Sequence, residues 1–212
     1  MTITNNTNDL FEDGKKLPLM EEFYTIQGEG YNMGSAAYFI RIGGCDVGCH
    51  WCDTKPSWDA THFPPTAAAD IAARAAASPA KTVVVTGGEP SMYPLDYFTG
   101  LLQELGIKTM VETSGAHPLS GTWNWICLSP KKLSPPKSAI YQKAHELKVV
   151  IEKEADLQWA ESNAALVRED CLLYLQPEWS VSEKIMPWLT EYVMKHPQWR
   201  ISLQSHKYMR IP

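Results

Sequence analysis

Cysteine is scarce in this chain, with five residues in 212. Positive charge is also short: 19 lysines and arginines face 24 acids, for a net charge of −5. Proteins that grip nucleic acid usually carry a basic face, so this balance argues against a duplex-binding surface. No apolar run approaches the ~20 residues that span a bilayer. The stretch from Met1 to Asp9 lacks the basic-then-apolar layout of an export leader. The expectation is a cytoplasmic protein with no membrane or nucleic-acid partner. In that compartment clustered cysteines serve as metal ligands or catalytic groups more often than as disulfides.

What is present reads as one globular unit. Hydrophobic residues make up 44% and charged residues 20%, enough to bury a single substantial core. A flexible tail is expected over 1–18 and one domain over 19–212. Short apolar, partly β-branched runs recur at 37–42, 82–85, 107–111, 125–128, 147–151, 171–175 and 199–203. Each predicts a buried strand. Helical stretches are predicted between several of them, at 66–77, 95–105, 155–167 and 182–195. Alternating strands and helices predict a parallel sheet. At this length an α/β partial (β/α) barrel of about six to seven mainly parallel strands fits better than a closed barrel of eight. Every strand run ends in polar or glycine-rich residues. In such folds ligands sit at the carboxyl ends of the strands.

The scarce cysteines are concentrated. Cys45, Cys49 and Cys52 lie within eight residues, amid Gly43, Gly44 and Gly48. Structural zinc wants four ligands, and only His50 is near enough to complete a set. Attached haem would leave Cys52 unused. Buried apolar cysteines are common singly rather than in threes. A four-iron cluster held by three thiolates leaves one iron open to a small molecule. Trp51 between the last two cysteines can shield such a cluster from water.

This pattern of Cys45, Cys49, an aromatic and Cys52 resembles the signature of the radical S-adenosylmethionine (SAM) superfamily. Thr86-Gly87-Gly88-Glu89-Pro90, at the end of the next predicted strand, is similar to that superfamily's Gly-Gly-Glu motif. Its carbonyls and the Glu89 carboxylate suit an ammonium group. The run from Glu22 to Gly30, Asp53-Thr54, Leu147 to Ile151, Leu175-Gln176-Pro177 and the run from Trp199 to Pro212 narrow the resemblance. Together they resemble the 7-carboxy-7-deazaguanine synthases from about residue 20 onward. One departure stands out: some members carry a longer insertion between the first two cluster cysteines, whereas three residues separate them here.

The resemblance implies conversion of 6-carboxy-5,6,7,8-tetrahydropterin to 7-carboxy-7-deazaguanine, with ring contraction and loss of ammonia, in queuosine and 7-deazapurine biosynthesis. It implies a 4Fe-4S cluster on Cys45, Cys49 and Cys52, SAM as cofactor, and magnesium at Thr54. SAM contacts fall on Trp51, Asp53, Gly87, Gly88, Glu89, Glu112, Ser114, Ser129, Pro130, Lys131 and Gln176. Substrate contacts fall on Ile26, Gln27, Gly28, Glu29, Arg41, Thr86, His206 and the carboxylate of Pro212. Arg41 suits a carboxylate, since its planar fork matches two oxygens. An electron donor such as flavodoxin or ferredoxin, and a homodimer, are implied as well. A glycyl-radical activating enzyme and a zinc-binding module remain as alternatives. Cys127 and Cys171 read as packing residues.

Overall fold

The structure, a computed structural model, describes Phe11 and residues 13–212. Nine strands form one sheet in the order β3-β1-β2-β4-β5-β6-β7-β8-β9. Seven of them correspond to the predicted runs: β2 (Ala36–Ile42), β4 (Thr82–Gly87), β5 (Lys108–Thr113), β6 (Trp125–Leu128), β7 (Glu146–Ile151), β8 (Leu172–Pro177) and β9 (Trp199–Ile201). Each is parallel to its neighbours in this set. The array is open and curved, a partial barrel with β3 and β9 at its edges.

Two strands were not predicted. β1 (Lys16–Ile26) runs antiparallel to β2 over most of its length, and β3 (Pro65–Ala67) pairs with its first residues. The three-residue β3 takes the start of the predicted 66–77 helix, so α1 covers Ala68–Ala77. β1 also moves the start of the ordered chain. Leu17 is fully buried, so residues 16–18 belong to the sheet rather than to a tail. Most of the expected 1–18 tail lies outside the described residues. Of the later helices, α2 (Asp96–Glu104), α4 (Ala155–Ala164) and α5 (Ser182–Lys195) follow the predicted stretches, while α3 (Ser138–Tyr141) and α6 (Ser205–Met209) are short additions. No helix of the described residues is long and apolar enough to cross a membrane.

Strand periodicity divides the sheet into two faces. Ile40, Ile42, Val83 and Val85 point outward and pack with Ile71, Phe98 and Leu102 of α1 and α2. Leu147, Val149, Ile151 and Leu175 do the same with Ala160, Ile185 and Leu189 of α4 and α5. Cys171 and the fully buried Trp199 belong to that second cluster. The alternate residues, among them Arg41, Thr86, Glu112, Lys148 and Gln176, point inward. They meet at the carboxyl ends of the strands and line one cavity.

Candidate active site

The cavity has a volume of about 350 Å³. The loop after β2 forms one wall and places Cys45, Cys49 and Cys52 on it. All three are free thiols of intermediate burial. Gly44 and Gly48 adopt φ of +96° and +71°, which non-glycine residues rarely tolerate. A side chain at Gly44 would also strike the Tyr93 hydroxyl, which donates a hydrogen bond to the Gly43 carbonyl at 2.9 Å. Burial pushes the Cys45 and Cys49 thiols up. Among the described residues no three His, Cys, Asp or Glu side chains close into a cage for a single ion. His50 is exposed, and its Nε2 lies 3.4 Å from Glu152.

The Gly87-Gly88-Glu89 segment at the end of β4 forms the adjoining wall. Gly88 N donates to Ile42 O at 2.7 Å, and Glu89 N donates to Gly44 O at 2.8 Å. The segment is therefore fastened to the cysteine loop. Glu89 is 2% exposed, and both its oxygens accept hydrogen bonds. Oε1 accepts from Ser91 N (3.0 Å), Ser91 Oγ (2.6 Å) and Thr113 Oγ1. Oε2 accepts from Ser114 N (2.7 Å) and Ser114 Oγ. Glu89 thus ties the end of β4 to the end of β5, and with Gly87 and Gly88 it lines the cavity.

Glu112, Ser114, Ser129, Lys131 and Gln176 line the same cavity from the ends of β5, β6 and β8. Lys131 Nζ donates to Ser129 O and Oγ at 2.6 and 2.7 Å and lies 5.5 Å from the Trp51 ring centroid. Its burial lowers the ammonium pKa. Pro130 is the exception: it is buried beside the cavity without lining it.

Ile26 ends β1 and Gln27, Gly28 and Glu29 follow it, and all four line the cavity. α6 packs over them. Ser205 N and Ser205 Oγ both donate to Gly28 O at 2.9 Å. A Cβ on Gly28 would come within 2.2 Å of His206 Nδ1, so only glycine admits the ring there. Burial lowers the His206 pKa and favours the neutral imidazole. Lys207 Nζ reaches Asp53 at 3.3 Å and lies 4.9 Å from the Trp179 ring centroid, joining α6 to the cysteine loop. Pro212 also lines the cavity. Arg41 is already engaged. Its Nε donates to Glu21 at 2.7 Å and its Nη1 to Thr54 Oγ1 at 3.4 Å. The remaining guanidinium donors are left for a ligand. Thr86 lines the cavity beside it.

Sequence reading missed the lysine at the centre of the charged floor. Lys148, on the inward face of β7, is ion-paired with Glu29 and lies 3.5 Å from Glu112. Gln27 Nε2 donates to Glu112 Oε1 at 2.9 Å. Burial alone would raise the Glu29 carboxyl, but the Lys148 charge and hydrogen bond hold it at about 2. Burial opposes the Lys148 charge as well. The surrounding Cys127, Glu112, Glu29 and Glu146 overcome it and hold the pKa well above the ordinary value. The only signal in the sequence was a lysine interrupting an otherwise apolar strand.

An open parallel sheet with three free thiols at its carboxyl edge defines a class, the radical SAM enzymes, and the Radical SAM superfamily model matches residues 39–135. A relative from Flavobacterium psychrophilum named 7-carboxy-7-deazaguanine synthase is 52% identical, over 99% of this chain and all of its own. One of the same name from Synechocystis is 44% identical, over 92% of this chain and 93% of its own. The crystal structure of QueE from Escherichia coli superposes with a TM-score of 0.81 at 30% identity, covering 95% of this chain and all of that one. The chain belongs to the 7-carboxy-7-deazaguanine synthase family.

Proposed function

We propose that the chain converts 6-carboxy-5,6,7,8-tetrahydropterin to 7-carboxy-7-deazaguanine, with ring contraction and loss of ammonia, as part of queuosine biosynthesis. The observation that carries the reading is one cavity with three free thiols on one wall and the Gln27-Glu29-Lys148-Glu112 floor.

Cys45, Cys49 and Cys52 would hold a 4Fe-4S cluster. When bound, this cluster would supply the single electron that reductively cleaves SAM, and with it the radical chemistry of the reaction. The chain's own residues bind and orient. Gly87 and Gly88 carbonyls face the cofactor's ammonium, and Ser129, Lys131, Ser114 and Gln176 offer polar contacts to the rest of SAM. Arg41 presents its free donors to the substrate carboxylate. Gln27 and Glu29, with Glu112 beside them rather than on SAM, accept the N–H edge of the pterin ring, and His206 with Pro212 closes over it. Asp53 Oδ1 lies 3.2 Å from the Thr54 hydroxyl. Thr54 would hold Mg²⁺, which takes its other oxygens from water and the substrate carboxylate. A low-potential donor such as flavodoxin or ferredoxin, a homodimer and a cytoplasmic location complete the reading.

Anaerobic reconstitution with iron and sulfide, followed by incubation with SAM, a reductant and the carboxypterin, tests it. The expected outcome is a brown protein that forms 7-carboxy-7-deazaguanine. A protein that cleaves SAM but leaves the pterin unchanged overturns the substrate assignment. A colourless protein holding one zinc ion overturns the radical chemistry.

A further inference from the structure

We infer that Lys148 is a positioning residue: it holds Glu29 and Glu112 together as one rigid pair of acceptors for the N–H edge of the substrate. The inference rests on the carboxypterin reading above.

Glu146, Lys148 and Val150 alternate along the inward face of β7; Lys148 and Val150 line the cavity, and Glu146 is buried outside it. The Lys148 side chain is 4% exposed, whereas those of Glu29 and Glu112 are 14% and 24% exposed. The carboxylates thus stand in front and the ammonium behind them. Their hydrogen bonds match. Glu29 gives Oε2 to Lys148 and Oε1 to Gln204 Nε2 at 2.9 Å. Glu112 gives Oε2 to Lys148 and Oε1 to Gln27 Nε2 at 2.9 Å. Gln27 Oε1 in turn accepts from Glu29 N at 3.1 Å. One lysine therefore fixes two carboxylates that come from separate parts of the chain, Glu29 after β1 and Glu112 on β5.

Two like charges this close need a cation between them, because burial weakens the screening that water would supply. The other charged or titratable groups facing the pair are Glu146 of β7, Cys127 of β6 and His206 of α6, and Lys131 after β6 lies towards Lys148. None of them donates a hydrogen bond to Glu29 or Glu112. Without Lys148 one of the carboxylates takes a proton to relieve the repulsion. A protonated carboxyl then presents a donor where the substrate also presents one.

The test compares Lys148→Met and Lys148→Arg with the unaltered chain as holoenzymes, measuring KM for the carboxypterin between pH 6 and 9. Lys148→Met should raise KM about tenfold or more near neutrality, because one carboxylate then carries a proton and meets the substrate's N–H edge with a donor. The defect should shrink as pH rises, because base restores the second carboxylate. Lys148→Arg keeps the charge and should recover most of the loss. A KM defect of equal size at every pH, or no defect, overturns the inference. If the single Met variant does not fold, Glu29→Gln is compared with the double variant Lys148→Met/Glu29→Gln, which carries no bare pair. Equal KM values support the coupling, and a further large rise in the double variant overturns it. Absence of carboxypterin turnover by the unaltered chain overturns the substrate reading and this inference together. Normal turnover with an unmoved Lys148→Met overturns this inference alone.

Discussion

Gly88 lies so close to Gly44 that a Cβ at position 88 would meet the Gly44 carbonyl oxygen at 2.0 Å and the Cys45 Cβ at 3.2 Å. Both of those atoms are anchored to the backbone, so the contact cannot be relieved by turning a flexible side chain. Gly88→Ala therefore has to push the β4 turn away from the cysteine loop and break the Glu89 N to Gly44 O bond. Overpacking of this kind costs about 1–3 kcal/mol. The larger effect should fall on the cluster wall. Reconstituted Gly88→Ala is expected to hold less iron and to cleave SAM at least about tenfold more slowly, since about 1.4 kcal/mol is tenfold in rate. Iron analysis and 5′-deoxyadenosine release check this, and near-native values for both would refute it.

Glu89 supplies the second prediction. Its carboxylate faces a backbone N–H on each side, Ser91 N at Oε1 and Ser114 N at Oε2. Glu89→Gln replaces one oxygen with an NH₂ group. Whichever way the amide turns, that group confronts a backbone donor that cannot rotate away. The loss should be about 2 kcal/mol or more, the cost of a buried donor left unmet beside a former charge. Urea unfolding of the metal-free chain measures it directly. A change below about 0.5 kcal/mol would place Glu89 among ordinary surface positions and remove its role as the tie between β4 and β5.

The same residues show what could be read from sequence and what could not. The seven parallel strands were legible because a strand buried on both faces needs a dense apolar run, and each run stopped at a glycine or polar cluster. β1 escaped because one face is half wet. Its residues from Lys16 to Ile26 mix Pro18, Glu21 and Glu22 with apolar neighbours, and its burial pattern alternates only loosely. β3 is three residues long and exists only because β1 is there to pair with it. At the site, closely spaced motifs were legible, and the structure brings nearly all of those residues to one cavity, with Pro130 left outside. Lys148 was not, because its partner Glu29 lies 119 residues away in sequence. The donors that hold the Glu89 carboxylate, Ser91, Thr113 and Ser114, were not legible either, because they meet it only once β4 and β5 are side by side.

Arg41 is bound on one side and open on the other. Glu21 holds Nε and Thr54 sits 3.4 Å from Nη1, so the protein itself sets the guanidinium plane. Arg41→Ala should raise KM for the carboxypterin about tenfold, or about 1.4 kcal/mol of binding. Arg41→Lys should restore little. A single ammonium cannot satisfy Glu21 and Thr54 and still present a two-pronged face to a carboxylate. Steady-state kinetics of the two variants check both statements. A lysine variant with native KM would show that charge alone suffices.

The Glu29–Lys148 pair predicts how stability responds to acid. Glu29 is held at about 2, below its ordinary 4.5. A carboxylate with a depressed folded pKa binds fewer protons than the unfolded chain over that interval, so stability rises with pH across it. The contribution of the pair is therefore complete above about pH 5, declines as pH falls through the ordinary carboxylate range, and is gone near pH 2. Lys148 is raised well above 10.5, so its side of the pair stays charged throughout this interval. Glu29→Gln removes the titrating group. The unaltered chain should exceed this variant in urea midpoint at pH 6, and the gap should narrow steadily towards pH 3. A gap that stays constant from pH 6 to pH 3 would mean that Glu29 takes up its proton at the same pH folded and unfolded. The buried lysine would then not be holding it as a carboxylate.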